Sequence, residues 1–356
     1  MSDKSSLDRA RRVADDEFYT RLPDVTEELS HYAPTLFAGK TVYLPCDTDE
    51  SAFWLYFDDL FDELGLKRLV ATAFSKDGTA YQWERRKGLS TARTPLKQNG
   101  DFRSPECLAL LGEADIVVTN PPFSLFRKFL RVLMEHDKAF IVLGNKNAIG
   151  YKETLAWMRD GRVWLGANAC TNLHFYRPDD APAWDRVELC FATARPRKVV
   201  KLGLTRWFTN IPHTRDKPTF IPTAVYKGNE DKYPRFDNLP DAINVDKVKD
   251  IPGDYPGVMG VPITFMDKFN PAQYELHGFV RDIAKDASGR NGAWVHGKEK
   301  YARVAIRRKD GPAPEQFELL GLIGDLSKAA GGRNGAWVHG KKKYDRLAIK
   351  RRKDHE

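Results

Sequence analysis

Cysteine is scarce in this chain, and long apolar runs are missing from it. The four cysteines, Cys46, Cys107, Cys170 and Cys190, are widely spaced and form no C-x-x-C pair. That argues against a disulfide framework or a structural zinc site, and for free thiols in a reducing compartment with no bound metal. No stretch approaches the roughly 18 consecutive apolar residues that a membrane-spanning helix needs. The opening M-S-D-K-S-S-L-D-R-A-R-R lacks the apolar core of a secretory signal. A cytoplasmic protein without membrane contact is expected. With 356 residues, 42% hydrophobic and 30% charged, the chain is long enough for one large globular domain or two smaller ones.

Acidic residues are few at one end. Segment 290–310 holds seven basic residues against two acidic, and segment 333–356 holds nine against three. Together they outweigh the formal net charge of +8, so the rest of the chain is slightly acidic. A C-terminal basic surface points to a polyanionic partner there. The two basic segments are copies of one unit. Q-Y-E-L at Gln273 recurs as Q-F-E-L at Gln316, and R-N-G-A-W-V-H-G-K at Arg290 recurs at Arg333, both at an offset of 43 residues. Two copies are too few for a solenoid and indicate a tandem duplication. Each reads as a helix, a Gly-rich turn, and a strand such as Tyr301–Arg308 with alternating Val304 and Ile306. Trp294 and Trp337 are expected to serve the unit's core.

Upstream the pattern is α/β. Strands are predicted at Thr41–Leu44, Arg68–Phe74, Ile116–Thr119, Phe140–Leu143, Val163–Leu165 and Val187–Thr193, with helices at Ser51–Leu64, Ser124–Met134 and Lys152–Arg159. Apolar strands alternating with helices predict a parallel sheet covered on both faces, with ligands at the carboxyl ends of its strands. From about 197 to 262 the sequence turns rich in Pro, Lys and aromatics and reads as loops.

The segment D-I-V-V-T-N-P-P-F-S-L-F (115–126) is the most informative. Its strand ends on Asn120, Pro121, Pro122 and Phe123 before a helix with Phe126, Phe129, Leu130, Leu133 and Met134 on one face. The prolines cannot continue a ladder or a helix and restrict the residues before them, which makes a stiff turn. That turn aims the Asn120 amide oxygen and the Pro121 carbonyl toward one point, with the Phe123 ring beside them. Two acceptors and a ring face suit an exocyclic amino group on a planar base. Accepting both amino hydrogens frees the nitrogen lone pair to attack an electrophile, and the acceptors stabilise the charge that then develops on nitrogen. A chance N-P-P-F occurs in on the order of one chain in a thousand of this length.

N-P-P-F after an apolar strand is the catalytic motif of S-adenosylmethionine-dependent amino-methyltransferases. With D-E-F-Y-T (16–20), G-D-F-R-S (100–104), D-A-I-N-V (241–245), K-D-I-P (249–252), G-V-M-G-V-P-I-T-F (257–265) and K-F-N-P (268–271), the chain resembles the EcoRI-type adenine-specific DNA methyltransferases from about residue 15 to 308. The second basic copy lies outside that stretch. The resemblance implies a Rossmann-like α/β fold with a C-terminal DNA-recognition region, and transfer of methyl from S-adenosylmethionine to the N6 amino group of a flipped-out adenine in double-stranded DNA. It implies Asn120, Pro121, Pro122 and Phe123 as catalytic residues. Asp16, Phe18, Tyr19, Thr20, Cys46, Asp47, Asp101, Phe102 and Asn120 would line the cofactor. It also implies a bacterial or phage setting, a monomer, and a cognate restriction endonuclease as a possible partner.

Two departures stand out against the wider superfamily. Glycine is absent from Lys40–Leu64, where a Gly-rich cofactor loop would normally fall, and no acid closes the second strand, where Phe74-Ser75 sits. Target recognition is expected after about residue 170. Arg206, Trp207, Asn210, Lys298, Arg307 and Arg308 are the DNA-binding candidates, and basic Lys76–Lys97 reads as a loop closing on DNA. The expected division is a catalytic domain at 1–196, a recognition region at 197–310, and the second copy at 311–356. Two rivals stay open: the same chemistry directed at RNA or a protein glutamine, and a non-catalytic DNA-binding relative.

Overall fold

The computed structural model describes residues 19–76, 78–168, 173–176, 188–190, 197–201, 205–213, 219–284, 292–309, 317–322, 336–338, 341–343 and 347–351. Asp16 and Phe18 lie outside the described residues.

Four strands, β2 (Thr41–Pro45), β3 (Arg68–Thr72), β6 (Ile116–Thr119) and β7 (Ala139–Asn145), pair in parallel. Around them β4 (Tyr81–Arg86), β5 (Ala92–Pro95), β8 (Trp164–Leu165) and β12 (Thr205–Thr209) complete an eight-stranded sheet in the order β5-β4-β3-β2-β6-β7-β12-β8. Every residue of β2, β3 and β6 is buried, as expected for near-continuous Val, Ile and Leu runs covered on both faces. The chain runs from β2 outward to β3 and then returns to β6 on the other side of β2. The topological switch point therefore lies between β2 and β6, where such sheets bind ligands.

Local signals start the covering helices. Ser51 caps Ala52–Asp59 by accepting from the Trp54 N–H at 3.1 Å, and Ser104 caps Pro105–Glu113, which has proline in its first turn. Helix Phe126–Glu135 buries Phe126, Phe129, Leu130 and Leu133 on the predicted face. Gly144 of β7 lets the Phe126 ring lie against the strand; a Cβ there would collide with that ring.

Two segments predicted as loops are strands. Lys76–Lys97 contains the hairpin β4–β5, which extends the sheet at its β3 edge. Trp83 is buried there, and the Arg93 guanidinium stacks 3.7 Å from the Tyr81 ring centroid. Within 197–262, β12 pairs antiparallel with β7 and β8, so the central sheet continues past residue 197. A smaller antiparallel sheet orders β1 (Tyr19–Thr20), β9 (His174–Tyr176), β11 (Arg197–Lys201) and β10 (Glu188–Cys190) as β1-β9-β11-β10. The strand predicted at Val187–Thr193 belongs to this sheet and not to the central one.

The C-terminal part is a five-stranded sheet of β13 (Arg235–Phe236), β14 (Leu239–Asn244), β15 (Val258–Pro262), β16 (Tyr274–Phe279) and β19 (Arg303–Arg308), ordered β13-β14-β15-β19-β16. Hairpin β17 (Trp294–Val295) and β18 (Lys298–Glu299) flanks it. The first element of the repeated unit is thus strand β16 followed by the short helix Val280–Ile283, and not the predicted helix. Trp294 is only half-buried, while its neighbours Ala293 and Val295 fill the core. In the second copy β20 (Phe317–Leu322) pairs with β23 (Leu347–Arg351), and β21 (Ala336–Val338) with β22 (Lys341–Lys343). One hydrophobic cluster runs from Val117, Phe129 and Phe140 through Leu155 and Phe208 to Met259, Phe265, Leu276 and Ile306. Both large sheets therefore share a core.

Candidate active site

The carboxyl ends of β2, β3 and β6 open on one crevice, and each contributes a turn. After β6 comes Asn120, half-buried, followed by buried Pro121 and by Pro122, whose backbone (φ −52°, ψ 130°) turns into the 3-10 segment Phe123–Leu125. The Leu125 N–H donates to the Pro122 carbonyl at 2.9 Å and closes that segment. Phe123 packs partly against the core cluster that includes Val118 and Phe175. The Asn120 Nδ2 donates to the Thr20 hydroxyl at 3.2 Å. Strand β1 therefore sits beside the proline turn, a hundred residues away in sequence, and Thr20 sets which way the amide faces.

After β2 the backbone turns left-handed at Cys46, with φ +76°. This is how the turn is made without glycine, at a cost of about 1–2 kcal/mol for a residue with a Cβ. The Asp47 N–H donates to the Thr72 carbonyl at 3.0 Å, which holds the turn to the end of β3. The Asp47 carboxyl is buried. Thr119, last residue of β6, has its hydroxyl 2.6 Å from Asp47 Oδ2 and also donates to the Pro45 carbonyl. Burial raises the Asp47 pKa to about 7, against hydrogen bonds from Thr119 and Ser51 that favour the ionised form. Burial, with the Asp47 charge second, also pushes the Cys46 thiol up, so Cys46 is a neutral lining group and no nucleophile.

After β3 the chain leaves through Ala73, half-exposed Phe74 and Ser75, whose N–H donates to the Asn99 carbonyl at 2.9 Å. Gly100, at φ +75°, packs so closely on the Ala73 carbonyl that no side chain fits. This seats the Asp101 turn at the end of β3. Arg103 holds the Asp101 carboxylate with contacts of 2.9 and 2.5 Å and keeps its pKa low. Phe102 is buried edge-on to Phe129, 5.0 Å between centroids, with the Arg103 guanidinium 5.4 Å from its ring. The ring anchors the turn; the aromatic face open at this end of β3 is Phe74.

The structure thus brings Thr20, Cys46, Asp47, Asp101 and Asn120 to one crevice, with Tyr19 half-exposed next to Thr20. Thr119 and Gly144 were missed at the sequence level. Thr119 was legible as the residue before Asn120; nothing local marks Gly144.

Three DNA-binding candidates are corrected. Arg206 is buried and bonds Asp267 through Nε at 3.0 Å and Nη2 at 3.1 Å, while Lys146 reaches the same carboxylate at 2.5 Å. Its charge joins the two sheets. Trp207 is fully buried, edge-on to Phe53. Asn210 accepts from the Phe140 N–H and donates to the Lys138 carbonyl, which ties β12 to the amino end of β7, opposite the crevice. Arg206 and Trp207 lie in β12 and Asn210 follows it directly, a strand that its mixed basic and aromatic composition disguised. Lys298 and Arg307 are exposed, Arg307 paired with Glu275 at 2.7 Å. Arg308 is half-buried and donates to the Gly253 carbonyl.

The crevice fits a cationic nucleotide-like cofactor. A buried carboxyl that resists ionisation waits at the switch point, with hydroxyls beside it and an open ring and a carboxylate at the rim. S-adenosylmethionine carries a sulfonium, an ammonium and an adenine, which match that donor set.

The chain matches the family described as adenine-specific methyltransferase EcoRI over residues 6–352, reaching into the second basic copy. It is 38% identical over 321 residues to the Type II methyltransferase M.MpnI of Mycoplasma pneumoniae, covering 85% of this chain and 98% of that one. Identity to the Type II methyltransferase M.EcoRI of Escherichia coli is 38% over 330 residues, covering 85% and 96%. Identity to the Type II methyltransferase M.MgeORF184P of Mycoplasma genitalium is 34% over 320 residues, covering 85% and 98%. No solved structure matches the chain significantly.

Proposed function

The chain belongs to the EcoRI family of adenine-specific methyltransferases, and from that premise we propose that it methylates the N6 amino group of a flipped-out adenine at a specific site in double-stranded DNA. Methyltransferases of this kind draw the methyl group from S-adenosylmethionine. The observation that carries the reading is the meeting of Asn120, Asp47 and the Asp101 turn at the switch point of the parallel sheet.

In this reading the Asn120 amide oxygen and the Pro121 carbonyl accept the two amino hydrogens of the adenine, and Phe123 stacks on its ring. Thr20 fixes the amide so that its oxygen side addresses the base. The acceptors act where positive charge develops on nitrogen, and the stiff proline turn gives them little to reorganise. Cofactor alignment supplies much of the rate, since no base needs to act before attack. Asp47 faces the cationic end of the cofactor and becomes ionised when the cofactor binds. Tyr19, Thr20 and Cys46 line the same end, and by motif Asp16 and Phe18 join them. Asp101 accepts from the cofactor's adenine amino group, and Phe74 supplies the apolar face expected of Phe102.

The recognition part starts after β12 and includes the five-stranded sheet, with Lys298 and Arg307 toward the phosphates. The second copy, 311–356, is a separate unit. A cytoplasmic monomer serving a restriction-modification pair, with its cognate endonuclease encoded separately, completes the reading. Among the described residues no helix is long and apolar enough to cross a membrane.

The test is to incubate the protein with methyl-labelled cofactor and duplex DNA, RNA or a glutamine-bearing protein substrate, then map the modified bases. Label on adenine at one recurrent DNA sequence is expected. Label on RNA or protein alone overturns the reading, as does cofactor binding without transfer to any of them.

A further inference from the structure

The two C-terminal copies fold to one register. In the first, Tyr274 stands opposite Arg308, Leu276 opposite Ile306, Gly278 opposite Ala305 and Phe279 opposite Val304, with the irregularity between Leu276 and Gly278. In the second, Phe317 stands opposite Arg351, Leu319 opposite Ile349, Gly321 opposite Ala348 and Leu322 opposite Leu347, with the irregularity between Leu319 and Gly321. Every pair is displaced by the 43 residues of the sequence repeat. The hairpins agree as well: Trp294 faces Glu299 in one and Trp337 faces Lys342 in the other.

The copies differ at one edge. β19 also pairs with β15, placing Met259 opposite Ile306, Gly260 opposite Ala305 and Val261 opposite Val304. Among the described residues β23 pairs with β20 alone. Yet β23 carries Leu347-Ala348-Ile349, a consecutive apolar run suited to a strand covered on both faces. In β19 the matching Val304, Ala305 and Ile306 are all fully buried. A two-stranded sheet cannot give such a run that cover.

The first copy is held on its seat by a small set of polar contacts. Gln273 exchanges two hydrogen bonds with the Phe220 backbone. Lys300 and Arg303 bond Asp246, and Arg303 also donates to Asn244. Asp237 accepts from the His296 and Gly297 backbone, Asn238 donates to the Gly292 carbonyl, and Arg308 donates to the Gly253 carbonyl. Displaced by 43 residues, each of these positions carries the same residue in the second copy: Gln316, Gly335, His339, Gly340, Lys343, Arg346 and Arg351. The copies have diverged elsewhere. At positions exposed or half-buried in the first, Glu299 becomes Lys342, Ala302 becomes Asp345, Arg307 becomes Lys350, and Arg281, which donates to the Gly150 carbonyl, becomes Gly324. At buried positions Tyr274 becomes Phe317, Phe279 becomes Leu322, Val280 becomes Ile323, Ala284 becomes Ser327 and Val304 becomes Leu347.

We propose that the second copy is an alternative occupant of the first copy's seat within the same chain, pairing β23 with β15 while the first copy is displaced. Seating the second copy leaves the first as an insertion in the connection after Ala272, and the entropy of closing such a connection grows only with the logarithm of its length. Exchange keeps the seat contacts of Gln273, Lys300, Arg303 and Arg308, replaces buried side chains mostly by other apolar ones, and changes the outer face, replacing Glu299 and Arg307 by Lys342 and Lys350.

Paired cysteines in the full chain test this without reference to methylation. Directly opposed strand residues lie within disulfide range. Val261→Cys with Val304→Cys should trap the first copy, and Val261→Cys with Leu347→Cys should trap the second. Mild oxidation followed by peptide mass mapping is expected to find both disulfides within monomers. Closure of the Val304 pair with no closure of the Leu347 pair overturns the proposal, and a Leu347 disulfide found only in dimers overturns its within-chain form. A second variant lacking residues 273–315, so that Gln316 follows Ala272, should unfold cooperatively like the full chain. An unfolded product, beside a folded variant lacking 316–356, also sinks the proposal.

Discussion

The crevice between β2 and β6 and the five-stranded C-terminal sheet are built on opposite terms. In the crevice, polar groups are buried in short turns: Asp47 beneath Thr119, Cys46 in a left-handed backbone, Asn120 between Thr20 and the prolines. In the C-terminal sheet the charged groups lie outside and pair across strands, as Arg307 does with Glu275, while the interior is apolar on both faces. On the proposed function, the first arrangement concentrates the chemistry in a few side chains whose surroundings shift it, and the second spreads recognition over a surface whose shape depends on register. Substitutions should therefore be sharp in the crevice and graded in the sheet.

The largest effect is expected for Asn120→Ala. Loss of one pre-aimed acceptor should lower kcat by on the order of 10²–10³-fold with cofactor affinity nearly unchanged. Single-turnover rates beside calorimetry separate the two, and a tenfold or smaller loss of rate would break the contrast.

Next comes the joint between the two regions. Asp267→Ala leaves Arg206 and Lys146 buried without their carboxylate, which should destabilise the fold by roughly 3–5 kcal/mol. Chemical denaturation measures it. A loss confined to activity would show that the joint positions rather than stabilises.

Asp47→Asn tests the buried acid. The folded-state pKa of about 7 exceeds the ordinary carboxyl value of 3.8, so the folded state holds an extra proton between those values. Stability therefore falls as pH rises from about 4 to about 7 and is flat above, a loss on the order of a few kcal/mol. The amide, which mimics the protonated acid, should abolish that slope and stabilise the unliganded protein at pH 8 while weakening cofactor binding. Melting curves across pH show the first effect. Titration calorimetry shows the second, together with the proton that wild type should release on binding below pH 7.

Gly144→Ala forces a methyl group into the Phe126 ring, which should cost about 1–3 kcal/mol and shift the proline turn. At the low end, Arg307→Ala should leave stability unchanged. It should weaken DNA binding equally for all sequences and reduce the salt slope of affinity by about one. An effect restricted to one target sequence would make Arg307 a base reader.

Local pattern was enough for the parallel strands, the helix that starts at Ser51 and the buried face of Phe126–Glu135, because each depends on residues close in the chain. It failed where a partner strand outweighs local preference. Tyr274, Leu276, Phe279, Val280 and Ile283 fit a helical period as well as an extended one, and pairing with β19 decides for the strand. Arg206-Trp207-Phe208 reads as a basic aromatic patch for nucleic acid until Asp267, Phe53 and Phe126 enclose it.

Taken alone, the sequence determined the chemistry. Two prolines between an amide and a ring stiffen a turn by covalent geometry, and that restriction holds wherever the chain places them. Only the folded sheet decided the company that turn keeps. Asp47 and the Asp101 turn come to the same end of the sheet as Asn120 because the parallel strands finish at one edge, and Thr20 arrives there on β1 of the small antiparallel sheet. The acidity of Asp47 follows from how much water that edge excludes.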